Sequence, residues 1–182
     1  IANELRGSVD GWDFKQYILG IMFYRYISEN MTNYINEGER KAGDDNFDYA
    51  KLSDEEAETI RKEMVNEKGF FILPSELFAN VCNNVYTLEL GLMDISEEEV
   101  VNELVPIVES YLNETLERIF NNIENSAKGA ESEEDFAGLF DDIDVNSNKL
   151  GATVAKRNDK LVKILDGIAN IPLGNYKDNS ID

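Results

Sequence analysis

The sequence predicts an all-α domain of several helices with a long buried first helix, and three observations predict it. Apolar residues recur at helical spacing through three long stretches, two Ser-x-x-Glu capping boxes open helices, and only one short apolar run reads as extended. No internal repeat is present. A chain of 182 residues suits one domain with a short exit segment, here residues 1–171 and 172–182.

Taken in order, Asp10-Gly11 reads as a turn, and the Asp13 side chain supports a helix start just after it. Phe14 to about Asn36 forms one helix, and nine of the eleven residues from Tyr17 to Ile27 are apolar, all but Gly20 and Arg25. A helix apolar on every side is buried against several neighbours or against another protein. Gly38 to Asp48 is polar and reads as a mobile loop. Ser53 with Glu56 makes the first capping box, for a helix that runs to about Glu67 and stops at Gly69. Phe70 to Leu73 is the short extended run. After Pro74, Ser75 is the expected cap of a helix from Glu76 to Asn84.

Ser96 to Glu99 is the second capping box, and its acidic first turn suits the positive end of the helix dipole. Val100, Val101, Leu104, Val105, Val108, Leu112, Leu116, Ile119, Phe120 and Ile123 keep helical spacing behind it. Pro106 either kinks this helix or divides it, and in the second case it lies in the first turn of the second half. A polar linker from Ser126 to Glu134 leads to a short helix from Phe136 to Phe140 and an irregular polar loop from Asp141 to Asn148. The last helix runs from about Thr153 to Ile171, where Pro172 ends it.

Composition narrows the function classes. Hydrophobic residues make up 42% of the chain, enough for a true core, so the net charge of −20 does not imply disorder. Residues 51–130 hold −11 of that charge, and so acidic a surface repels polyphosphate except at a local basic stripe. A single cysteine, Cys82, allows no intrachain disulfide and suits a reducing cytoplasm. With no histidine, Ser-His-Asp and Cys-His centres are impossible and the commonest metal ligand is missing. The most apolar run, Tyr17 to Tyr24, contains Gly20 and stops at Arg25, short of the roughly 20 residues a bilayer requires. The first residues lack the basic and apolar regions of a signal peptide.

Candidate chemistry is sparse. Asp142, Asp144, Asn146 and Asn148 alternate like a calcium loop, but an EF-hand begun at Asp142 needs Gly and Glu where Ser147 and Thr153 stand. Asx-turn chemistry capping the next helix is the better reading. No glycine-rich phosphate loop occurs. Carboxylate pairs such as Asp141 and Asp142 lie in polar loop contexts that solvate them. One positive feature stands out: Lys156, Lys160 and Lys163 at i, i+4 and i+7, with Arg157 beside them and Lys149 upstream. In so acidic a chain this stripe is the one candidate contact for a DNA backbone or an acidic partner, against the plainer reading of a solvated helix face.

Several stretches, in order along nearly the whole chain, resemble the opening of the methylation (M) subunit of type I restriction–modification systems. They are Leu5-Arg6-Gly7, Asp10 to Lys15, Tyr17 to Gly20, Tyr24 to Glu29, Gly69 to Pro74, Phe140 to Asp144, Asn148 to Gly151, and Lys156 to Leu165. The resemblance implies an intact subunit that transfers methyl from S-adenosylmethionine to adenine N6. It also implies assembly with a specificity subunit, a second M subunit and a restriction subunit around double-stranded DNA.

This region would then be the helical assembly and DNA-clamping domain ahead of the cofactor-binding domain. Tyr17, Tyr24, Arg25 and Tyr26 on the first helix become candidate subunit-interface residues. No catalytic, cofactor or metal residue is carried over, and the Asn/Asp-Pro-Pro-aromatic clamp for a flipped adenine is absent, since Pro74, Pro106 and Pro172 are all isolated. The alternative is a free-standing acidic DNA mimic or a helical adaptor. A mimic gains nothing from a lysine stripe or a long apolar helix.

Overall fold

The structure, a computed structural model, describes residues 11–90 and 105–172. Among these the secondary structure is helical, with no strand. Seven α-helices occur there: α1 Gly11–Ala42, α2 Asp54–Glu58, α3 Arg61–Lys68, α4 Phe78–Leu90, α5 Val105–Ser126, α6 Glu133–Phe136 and α7 Val154–Ala169. Two single 3-10 turns, Tyr49–Lys51 and Pro74–Glu76, join them. The all-α expectation holds.

The core lies where α1, α4, α5 and α7 meet. Tyr17, Ile21, Tyr24, Ile27, Met31 and Ile35 bury one face of α1. Leu112, Leu116, Ile119, Phe120 and Ile123 do the same for α5, and Leu161, Ile164, Leu165 and Ile168 for α7. The spacing is helical in each case, so each helix is held by a continuous apolar stripe. Each large aliphatic group so buried contributes about 1.5–3 kcal/mol.

The first helix is longer than its apolar pattern. It continues through Gly38, where a side chain would meet nothing within 4 Å, and stops at Gly43, whose φ is +107°. There the amide of Asp44 reaches the carbonyl of Glu39 at 3.0 Å and that of Gly43 reaches Arg40 at 3.2 Å, the double closure of a Schellman motif. The expected loop therefore begins about five residues late. Glu39, Arg40, Lys41 and Ala42 are good helix formers, two of them cations at the negative end of the dipole, and they outweigh the cost of about 1 kcal/mol for Gly38.

The capping box at Ser53 forms as expected, with Glu56 returning the bond. The helix behind it breaks into α2 and α3 because the Thr59 hydroxyl turns back to the carbonyl of Glu56 at 2.7 Å. Gly69 then closes α3 at φ +86°.

Residues 70–73 are extended in sequence character but have no sheet partner among the described residues. Side chains take the place of a ladder: Ser126 accepts from the amide of Phe71 at 2.8 Å, and Tyr49 donates to the carbonyl of Ile72 at 2.8 Å. Ser75 is not the cap of the next helix. Its amide and hydroxyl both bind the Asp54 carboxylate, at 3.0 and 2.6 Å, while the first amide of α4 donates to the buried Ser28 hydroxyl at 3.3 Å.

Pro106 stands second in α5, within a first turn, where a proline is tolerated; the capping box at Ser96 lies outside the described residues. The short helix expected over 136–140 forms three residues earlier, as α6. The amides of Gly138 and Phe140 are drawn to the Glu124 carboxylate, and Gly138 itself has φ +72°. The last helix follows its expected bounds within two residues, with the Thr153 hydroxyl accepting from the amide of Lys156 at 3.3 Å.

Candidate functional site

The lysine stripe sits on α7. Lys149 and Lys156 are exposed and Lys160 is half-buried. Lys163 reaches Asp159 on the same helix at 2.7 Å, both side chains being more than half or about half open to water. Such a pair is weak and readily exchanged for a phosphate. Arg157 is turned partly inward and donates to the carbonyl of Gly151 at 3.2 Å, which ties the loop before α7 to its first turn. The helix thus presents Lys156 and Lys163 outward, with exposed Lys149 in the loop before it, and uses Arg157 for its own closure.

The loop before α7 behaves as Asx-turn chemistry, since the Asp144 carboxylate accepts from the amide of Asn146 at 3.0 Å. The cap of α7, however, is Thr153 and not a residue of that turn.

Three of the four candidate interface residues on α1 face inward. The Tyr17 hydroxyl donates to the carbonyl of Asp144 at 2.6 Å, and that of Tyr24 to the carbonyl of Glu76 at 2.5 Å. Burial, first of all, holds the Tyr24 phenol well above its ordinary pKa. Arg25 donates to the carbonyls of Ile168 at 2.5 Å and Ile171 at 2.8 Å, so it satisfies the free carbonyl end of α7. Tyr26 alone looks outward, with 44% of its surface open.

Two features escaped the sequence. The first is a buried carboxylate, Glu76, that accepts from Arg118 at 2.5 Å and Asn122 at 2.7 Å. Burial raises its pKa despite both of these donors. Nothing local marks Glu76 as different from the many exposed carboxylates of the chain, because its partners are more than 40 residues away. The second is a cleft of about 320 Å³ between α1 and the loop at 139–143, lined by Leu19, Gly20, Phe23, Leu139, Phe140 and Ile143. The i, i+4, i+7 spacing of Leu19, Phe23 and Tyr26 was the available signal for it.

Residues 1–168 match the family described as the HsdM N-terminal domain. The chain belongs to that family.

Other similarities agree with it. The chain is 40% identical over its whole length to the type I restriction enzyme MpnII methylase subunit of Mycoplasma pneumoniae, of which it covers 31%. Its fold matches the crystal structure of the type I restriction-modification system methyltransferase subunit from Streptococcus thermophilus with a TM-score of 0.65 at 25% identity, over 96% of this chain and 33% of that one. This HsdM N-terminal domain therefore spans about a third of the length of both. The DNA-mimic and adaptor readings find no support in these matches. Among the described residues of the domain no helix is long and apolar enough to cross a membrane.

Proposed function

We propose that this HsdM N-terminal domain is the assembly and DNA-clamping module of a cytoplasmic type I restriction–modification methylase subunit. Residues 1–171 make up the module and 172–182 lead toward the cofactor-binding domain. The intact subunit transfers methyl from S-adenosylmethionine to adenine N6. Its partners are a specificity subunit, a second methylase subunit and a restriction subunit, gathered on double-stranded DNA. The observation that carries the reading is the full-length match to a methylase subunit three times as long.

The chemistry of methyl transfer comes from S-adenosylmethionine. What these residues supply is a surface. Lys149, Lys156, Lys160 and Lys163, with Arg157 behind them, are the proposed contact to the phosphate backbone or an acidic partner. Tyr26 is the outward member of the proposed subunit interface, and Tyr17, Tyr24 and Arg25 hold the helix that presents it.

The test is methyl transfer by the assembled complex to target DNA, read as N6-methyladenine, with and without this domain. The subunit lacking it is expected to bind S-adenosylmethionine and fail to methylate. Full methylation without the domain would overturn the proposal.

A further inference from the structure

The outward side of α1 carries Leu19, Phe23 and Tyr26, with 71%, 36% and 44% of their surfaces open. Their i, i+4, i+7 spacing sets them in one apolar stripe. Alongside it lies the cleft whose opposite wall is Leu139, Phe140 and Ile143. Gly20 makes the close approach possible, since a β-carbon there would lie 2.0 Å from Cδ1 of Ile143.

The stripe is held rigidly from beneath. The Phe23 ring lies 6.3 Å from Tyr26 and 6.5 Å from Phe140, and Phe140 stacks at 4.3 Å on the buried Phe120. A surface ordered in advance loses little entropy when a partner docks.

Charge selects the partner. The cleft's loop wall at 139–143 belongs to a segment, residues 129–148, that contains seven Asp or Glu and no Lys or Arg. Asp142 lines the cleft itself and Asp141 beside it is exposed. Nucleic acid and anionic lipid are repelled by such a rim. A second copy would bring another −20 against it. The stripe rises over about 10 Å, two helical turns, which matches the ridge of a single helix.

We propose that this groove seats an amphipathic helix of another subunit, its apolar ridge along Leu19, Phe23 and Tyr26 and its Lys or Arg residues facing Asp141 and Asp142. The proposal rests on the assembly reading above and names the surface and the chemistry of the partner.

The experiment uses the intact subunit in its complex, with a benzophenone amino acid in place of Leu19, photolysis, and mass spectrometry of the cross-linked peptides. The expected product joins Leu19 to a helical segment of a different subunit, with an apolar ridge flanked by Lys or Arg. Leu19→Asp with Phe23→Asp is expected to weaken assembly at least tenfold. Asp141→Lys with Asp142→Lys does the same without touching the apolar stripe, and supplies the readout should the first pair fail to fold. Tyr111→Asp, at another exposed aromatic with 57% of its surface open, leaves affinity unchanged. Cross-links only within the chain, only to a second copy, or to an acidic segment overturn the proposal, as does unchanged affinity in both pairs. A complex that assembles normally and gives no cross-link at Leu19 overturns this inference alone. Failure of the unaltered subunit to assemble overturns the assembly reading as well.

Discussion

The side-chain oxygen of Asn158 on α7 accepts the backbone amide of Asn113 on α5 at 2.9 Å, and both residues are buried. A side chain of one helix thus enters the hydrogen-bond ladder of its neighbour. The polar chain continues outward, since the Asn113 amide group donates to Asn146 and Asn146 donates to Glu117 at 3.0 Å. This polar line fixes how α7, with its lysines, sits against α5.

Asn158→Leu should therefore be costly even though it adds apolar volume to the core. It removes the buried bond between the two helices, a net loss of about 0.5–1.5 kcal/mol. Urea unfolding gives the measurement, and a midpoint equal to that of the unaltered domain would show that the hydrogen bond contributes nothing.

Gly20→Ala tests the approach of α1 to the loop at 139–143. The added carbon would lie 2.0 Å from Ile143 Cδ1 and 2.7 Å from its Cγ1, and overpacking of this kind costs about 1–3 kcal/mol. Ile143→Ala in the same chain should restore part of that stability. Thermal melts of the two single variants and the double variant would show the coupling, and strict additivity would refute it.

Some of this architecture was readable residue by residue, and the division is physical. The Ser53–Glu56 box and the stop at Gly69 are local devices whose partners lie within four residues. The break at Thr59, the binding of Ser75 to Asp54 and the closing of 138–140 onto Glu124 depend on competition between local and distant partners. The candidate site divides in the same way. The lysine stripe was visible because helical spacing defines it. The inward turn of Tyr17 and Tyr24 was not, because their acceptors stand 127 and 52 residues away and a helix apolar on all sides does not reveal which face is core.

Glu76 gives a pH-dependent prediction. Burial raises its folded pKa above the unfolded value, against the pull of Asn122 and Arg118. Its protonated form is favoured by folding, so its contribution is fully present below the unfolded pKa and is lost as pH rises through the folded one. Glu76→Gln keeps an acceptor for Arg118 and Asn122 and removes the buried charge. At pH 8 it should match or exceed the unaltered domain in stability, by up to about 1 kcal/mol, and the gap should narrow toward pH 4. Guanidinium unfolding across that range decides it, and a Gln variant clearly weaker at pH 8 would show that the charged form is the one folding favours.

Cys82 should be inert toward maleimide in the native domain. It is buried, and burial pushes its thiol up to about 12. Labelling is expected only in denaturant, and rapid labelling of folded protein would show that α4 opens locally.

The proposed function has this acidic domain meet DNA through one basic row on α7. The direct measurement is the salt dependence of DNA binding by the assembled complex, with Lys156, Lys160 and Lys163 each changed to Glu. Each phosphate that is no longer neutralised should reduce the slope of log affinity against log salt by about 0.9. Weaker binding at low salt and a flatter slope, with assembly intact, are the predicted result. An unchanged slope in the triple variant would contradict the proposed DNA contact and leave the row as solvated surface.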